Sequence, residues 1–284
     1  MFPEPLDRRP LRVRAGYGVV VVACLTVWLL PLAGIVLTSL RSAEDLNRGN
    51  VWGWPTRIDV VDNYLTVLTG SHIPQFLLNS VLITLPAVAG TVALAAMAGF
   101  ALAKHRFAGN RLLLMLFVAG NLVPFQALMI PVRELVIRLD LYDSRWALII
   151  FHVAFQTGFC TLFMRNFIRA LPDEVLDAAR MEGAGEIAVF WHVVLPLVRP
   201  AMAATAVLVF TFVWNDYFWA LVLVQSDDVR PLTAGLQTLR GMWQTSWQLV
   251  CAGSLLAALP PVAVFFVMQR ELIAGLTAGT RSAV

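Results

Sequence analysis

The chain reads as six long apolar stretches separated by shorter polar ones. Tyr17–Ser39, Leu77–Ala103, Leu112–Pro131, Trp146–Met164, Pro200–Val224 and Gln248–Gln269 each approach the ~20 mostly apolar residues that a membrane-crossing helix needs. A bilayer core offers backbone groups no water, so stretches of this kind predict helices, whose hydrogen bonds are all internal. The first stretch follows Arg8, Arg9, Arg12 and Arg14, as a signal peptide would. Its apolar run is longer than an ordinary signal core and no small-residue cleavage site closes it, so it is read as an uncleaved span. The expected fold is all-α, a polytopic membrane bundle of six transmembrane helices.

The stretches are more than anchors. Pro31, Pro86, Pro124 and Pro260-Pro261 interrupt them, and an interior proline removes a helix hydrogen bond that neighbours must make good. Alanine and glycine crowd the second stretch, around Ala87–Gly90 and Ala95–Gly99, where small residues let helices approach closely. Between the third and fourth stretches, Val132, Leu135, Val136 and Leu139 fall at i, i+3, i+4 and i+7, with Arg133, Glu134, Arg138 and Asp140 opposite. This predicts an amphipathic helix lying at the membrane interface or packed on the bundle.

Composition agrees: 59% of the 284 residues are hydrophobic and 14% charged, against ~25% charged in soluble domains. The net charge of +3 is too small to argue for nucleic acid. With six spans, both termini share a side with loops 104–111 and 165–199. Those segments carry 13 of the 21 lysines and arginines; the opposite loops, of equal total length, carry 8. The excess assigns the termini and the 165–199 loop to the cytoplasm. Cys24, Cys160 and Cys251 all lie in apolar stretches and read as small buried hydrophobes.

The most informative segment is polar. Leu171–Pro200 carries five acids between two apolar stretches. Pro172 suits a helix start, and Asp173, Glu174 and Asp177 lie near that positive end. Gly183 ends the helix, a second begins near Glu186, and Leu195-Pro196 with Pro200 break it. Val175, Ala178, Ala179 and Glu182 share one nearly bare face. Such a hairpin either packs on its own bundle or offers that face to a partner.

Asp177-Ala178-Ala179, then Gly183, then Val193 and Leu195-Pro196 resembles the "EAA" loop of the permease subunits of bacterial ATP-binding-cassette importers, with Asp177 where the family usually has Glu and Val193 where it usually has Ile. The resemblance implies a type I importer permease in the bacterial cytoplasmic (inner) membrane. Its ATPase-docking residues are Glu174, Asp177, Ala178, Ala179, Met181, Glu182 and Gly183. The run Met268–Gly279 is similar to the tail of carbohydrate-type permeases, as are Asn79-Ser80, Gly99–Ala103 and Trp214-Asn215-Asp216. It implies that Gln269, Arg270, Gly275, Leu276, Thr277 and Gly279 contact the ATPase, although Thr280-Arg281-Ser282 departs from the usual ending. On this basis residues 1–73 hold the N-terminal tail, first span and outer loop. Residues 74–270 form the transmembrane domain with docking loop 165–199, and 271–284 form the C-terminal tail. Implied partners are a second homologous permease, two ATPase subunits, an extracytoplasmic solute-binding protein and membrane lipid.

No Gly-x-x-x-x-Gly-Lys-Ser/Thr phosphate loop occurs, so ATP and Mg are expected on the ATPase rather than on this chain, which carries no cofactor or metal of its own. His72, His105, His152 and His192 have no metal-ligand spacing, and His152 reads as a helix–helix hydrogen bonder. No catalytic constellation stands out, which argues against an enzyme. Asp216, beside Asn215, is the one acid within a span. It either lines a transport path or caps and braces a neighbouring helix. Trp219 nearby reads as an interfacial anchor. A secondary transporter driven by an ion gradient is the alternative class, and it predicts paired ion-binding groups at broken helices.

Overall fold

A computed structural model describes residues 10–51, 53–240 and 245–281, with the backbone alone from residue 272 onward. Arg8, Arg9 and Ser282 lie outside the described residues. Those described are mainly helical, and their only β pairing is two isolated bridges, Arg41 with Ile58 and Arg240 with Thr245.

Four helices are long and apolar enough to cross a membrane: α1 (Leu11–Leu40), α4 (Ile73–Lys104), α7 (Arg145–Arg169) and α14 (Trp247–Arg281). The short helices α2 (Ala43–Asn47) and α3 (Val60–Thr69) lie between the first two. Pro31, Pro86 and Pro260-Pro261 sit inside continuous helices, contrary to the expected interruptions. Each costs a helix one backbone bond, and a long helix keeps its remaining bonds.

The third and fifth expected spans are broken. α5 (Asn110–Leu122) turns by 93° into Phe125–Arg138, a 3₁₀ turn followed by α6 (Met129–Arg138). The break falls at Val123-Pro124, where the residue before proline is driven out of the helical region; Val123 has ψ 124°. The fifth stretch is helical first as α11 (Arg199–Trp214). Asn215–Tyr217 leave the helix before α12 (Phe218–Leu223).

Residues up to Ser71 form one compact unit with Thr238–Leu256; His72–Gln237 and the residues from Ala257 form another. In the first unit a polar knot follows α1. Arg41 is fully buried and donates to the carbonyls of Asn50, at 2.7 Å, and Gly53. Asn63 donates to the carbonyls of Ser39 and Arg41 at 2.9 and 2.8 Å. The Asp45 carboxylate accepts from the Thr56 N–H at 2.8 Å. Cys24 is exposed on α1 rather than buried, because the apolar stretch of α1 is not covered by other described residues.

The second unit is built on α4 against α7. Ala87, Ala95 and Ala96 are fully buried, and a methyl on Gly99 would lie 3.0 Å from the backbone nitrogen of Arg165. The small residues thus serve close helix approach. Val132 and Val136 of α6 pack on this core while Leu135 and Leu139 stay exposed. At its N-terminal end α4 holds the 228–237 segment, which includes α13 (Leu232–Gly235). Asn79 donates to the carbonyls of Asp228 and Arg230, both at 3.0 Å. Arg145 donates to the Asn79 side-chain oxygen at 2.9 Å. The Ser80 hydroxyl accepts the N–H of Leu232 at 2.8 Å.

Candidate functional site

Leu171–Pro200 folds as a helical hairpin. α8 (Asp173–Met181) begins after Pro172, with Asp173 and Glu174 in its first turn. Gly183 closes it with φ +88°. Its N–H bonds to the Arg180 carbonyl at 3.0 Å, and the Ala184 N–H bonds to the Ala179 carbonyl at 3.1 Å. These two bonds satisfy carbonyls that the helix end would otherwise leave open, and the left-handed turn between them suits glycine. The return arm is α9 (Glu186–Val189), a π-helical turn over Phe190–Val194, and α10 (Leu195–Leu197). Pro196 does not break this arm as expected. The wider turn, with the Leu195 N–H on the Phe190 carbonyl, precedes the missing N–H of Pro196. The break comes at Val198, where the chain bends by 76° into α11.

The hairpin has a fixed side and a free side. Leu176 is fully buried, worth roughly 2 kcal/mol of apolar burial. Ala179 is half-buried against the same core. Glu174, Asp177, Ala178 and Glu182 are exposed, and Met181 is 85% exposed. The expected bare face is therefore divided, with Ala178 outward and Ala179 turned inward. Ile187 and Trp191 are exposed on the return arm, at 78% and 59%. The sequence reading missed them, though their i, i+4 spacing opposite buried Val189 and Phe190 is a legible second stripe.

Ion pairs fix the hairpin's shape. Arg180 donates to Asp177 and Glu186 at 2.9 Å each, which raises its already high pKa, Glu186 contributing most. Lys104, the only lysine, ends α4 with its side chain 7% exposed. It donates to the Leu171 carbonyl at 2.7 Å and to Asp173 at 2.6 Å. That bond, with the lysine charge, holds the Asp173 carboxyl below its usual range. One ammonium thus joins the end of α4, the peptide after α7 and the start of α8. No local pattern announces it, because the partners lie 67 and 69 residues away.

Of the tail residues, Gln269 and Arg270 are exposed on α14. Gly275, Leu276, Thr277 and Gly279 lie in its last turns, and their side chains are outside the described residues. At 35 residues α14 is ~52 Å long, so it outruns a ~30 Å hydrocarbon layer by several turns.

Asn215 and Asp216 face apart. Asn215 is exposed and donates back to the Thr211 carbonyl at 2.9 Å. The Asp216 carboxylate accepts the N–H groups of Trp219 and Ala220 at 3.3 and 3.2 Å, capping α12. It also borders a cavity of about 320 Å³. His152 of α7 approaches it there, Nε2 to Oδ2 3.6 Å, with only 7% of its side chain exposed. Asn121 and Gln156 add amides to the lining, and Phe125, Phe151, Phe155, Phe159, Phe212 and Trp219 add rings. Trp219 is not an interfacial anchor. It is 3% exposed with its ring centroid 3.9 Å from that of Phe151, because the break at Asn215–Tyr217 turns α12 back into the protein.

Comparison with known proteins agrees with this architecture. Residues 91–277 match the family described as "Binding-protein-dependent transport system inner membrane component". The chain is 35% identical to the osmoprotective compounds uptake permease protein GgtD of Synechocystis, over 91% of this chain and 90% of that one. It is 32% identical to the arabinooligosaccharides transport system permease protein AraQ of Halalkalibacterium halodurans, over 92% and 93%. A crystal structure of a bacterial ABC transporter that imports alginate contains a chain of the same fold, with TM-score 0.81 and 24% identity over 95% of this chain and 99% of that one. Family membership removes the ion-gradient alternative. The chain belongs to the inner-membrane components of binding-protein-dependent transport systems, and is a transport subunit rather than an enzyme.

Proposed function

We propose that this chain is one of two permease subunits in an ATP-driven importer of a carbohydrate-type solute. Two separate ATPase subunits bind ATP and Mg, and an extracytoplasmic protein delivers the solute. Both termini and the docking hairpin face the cytoplasm. The name of the arabinooligosaccharide relative supports the solute class, and the 13-to-8 basic asymmetry supports the orientation. The hairpin itself carries the coupling assignment: α8 is held from behind by Leu176 and Lys104, while Ala178, Met181 and Glu182 stay uncovered. A surface built this way transmits a partner's movement, because its back is bound to the helix bundle.

The test is a substitution on the free side alone. Ala178→Arg should leave the chain in the membrane but reduce ATPase co-purification at least tenfold, since overpacking an interface costs about 1–3 kcal/mol and an unpaired buried charge more. Ala179→Arg is the poorer probe, because that position also packs on the core. Normal co-purification and normal uptake by the Ala178→Arg importer would refute the assignment.

A further inference from the structure

The cavity beside Asp216 has a composition that the coupling function does not require. Its volume, about 320 Å³, lies at the small end of ligand pockets. Its walls are mostly rings, and its polar groups are the amides of Asn121 and Gln156, the imidazole of His152 and the carboxylate of Asp216. Rings stack against the C–H faces of a sugar or polyol, while amides and a carboxylate exchange hydrogen bonds with its hydroxyls. Lysine and arginine are absent from the lining. His152 is the one lining group able to carry positive charge, and it lies against Asp216.

Two acceptor positions of Asp216 are filled by the Trp219 and Ala220 N–H groups. A carboxylate offers about four, so acceptor capacity remains on the cavity side. The 3.6 Å gap to His152 is longer than a hydrogen bond, and a hydroxyl placed between the two groups can donate to one and accept from the other. Gln156 is half-buried on the wall, with no hydrogen bond to any described residue.

We infer that this cavity is a solute subsite on this chain itself, taking an uncharged polyhydroxylated solute and excluding anionic ones. The inference rests on the importer-permease reading. An anion entering would meet the Asp216 carboxylate at close range without a free cation, a penalty of at least about tenfold in affinity.

The experiment uses the complete importer, with its partner permease and ATPases, in lipid nanodiscs without the binding protein. Tryptophan fluorescence is titrated with glycerol, glucose, sucrose, trehalose and arabinobiose, and with glycerol 3-phosphate, glucuronate and trehalose 6-phosphate as charged counterparts. At least one uncharged compound should quench saturably, and its charged counterpart should bind at least tenfold more weakly. The signal should vanish in Trp219→Phe, which keeps a ring on Phe151. Gln156→Ala should weaken binding about fivefold, the worth of one hydrogen bond. Co-purification of the ATPases with both variants checks that they fold. No saturable quench by any uncharged compound, unchanged affinity in Gln156→Ala, or equal binding of a charged counterpart would each overturn the subsite. ATP-driven uptake by the same complex, reconstituted into sealed proteoliposomes with its binding protein, separates the two readings. Transport without this binding removes the subsite alone, whereas failure to assemble and transport removes the permease reading and the subsite with it.

Discussion

Replacing Gly183 gives the most discriminating test of the hairpin, because its cost can be worked out one contribution at a time. The residue holds φ +88°, and no heavy atom lies within 4 Å of the position a Cβ would take. A side chain there meets no clash within the described residues, so its cost to the hairpin itself is conformational. Asparagine visits the left-handed region readily and should cost a few tenths of a kcal/mol. Alanine should cost about 1 kcal/mol, and valine, branched at Cβ, about 2 kcal/mol or more. If the ATPase binds only the closed hairpin, each penalty appears as lost affinity, about fivefold for alanine and thirtyfold for valine. The assay titrates the ATPase subunit onto the permease pair in nanodiscs, and records ATP turnover per solute imported in proteoliposomes. Affinity should fall in the order Gly, Asn, Ala, Val, with membrane content of the chain unchanged. Valine binding as tightly as asparagine would refute the reasoning, since the strain of the left-handed turn separates the two residues.

Lys104→Met should lower solute imported per ATP hydrolysed severalfold while ATPase co-purification persists, and Lys104→Arg should recover part of that ratio; an unchanged ratio in the methionine variant would remove Lys104 from coupling. Reporter fusions placed after Val284 and within residues 225–247 should report opposite sides of the membrane, with the C-terminal reporter cytoplasmic. A C-terminal reporter on the outer side would overturn the orientation.

The helices were legible wherever a long apolar run decides the matter, as in α1, α4, α7 and α14. Pro124 was legible as an interruption and does break its helix, but hydropathy cannot register a break inside an apolar run, which is why Asn215–Tyr217 was read as the interior of a span. That break carried a local sign, an Asn-Asp pair ahead of an apolar run, the usual mark of a helix start. Trp219 was misread for a related reason. Lipid and protein interior are both apolar, so composition alone does not say which one a tryptophan faces. In the hairpin, Gly183 and the acids of the first turn were local signals and were read as such. The inward turn of Ala179, the exposure of Ile187 and the role of Lys104 depend on what lies across the fold, and no window of sequence contains it.

Those distant contacts give the proposed docking hairpin its mechanical meaning. α4 is 32 residues long, a rod of ~48 Å, with different cargo tied to each end. Lys104 at the last residue holds Leu171 and Asp173 of the hairpin. Asn79 and Ser80, near the first turns, hold the backbone at Asp228, Arg230 and Leu232, and Phe76 lies so close under Gly235 that a methyl there would sit 2.1 Å from its ring. Between the two ends, Gly90 and Gly99 seat the rod against Val153, Met164 and Arg165 of α7, so closely that a methyl added at Gly99 would lie 3.0 Å from α7 and force it to give. Close-packed interfaces of this kind shift as units instead of deforming gradually. A displacement of α8 that kept the Lys104 bonds intact would therefore reach the 228–237 segment through α4 as a rigid movement. A methionine at position 104 cuts that connection at its narrowest point, one ammonium, while leaving the uncovered face of Ala178 and Met181 as it was. This is why its expected defect is in the yield of transport per ATP and not in assembly.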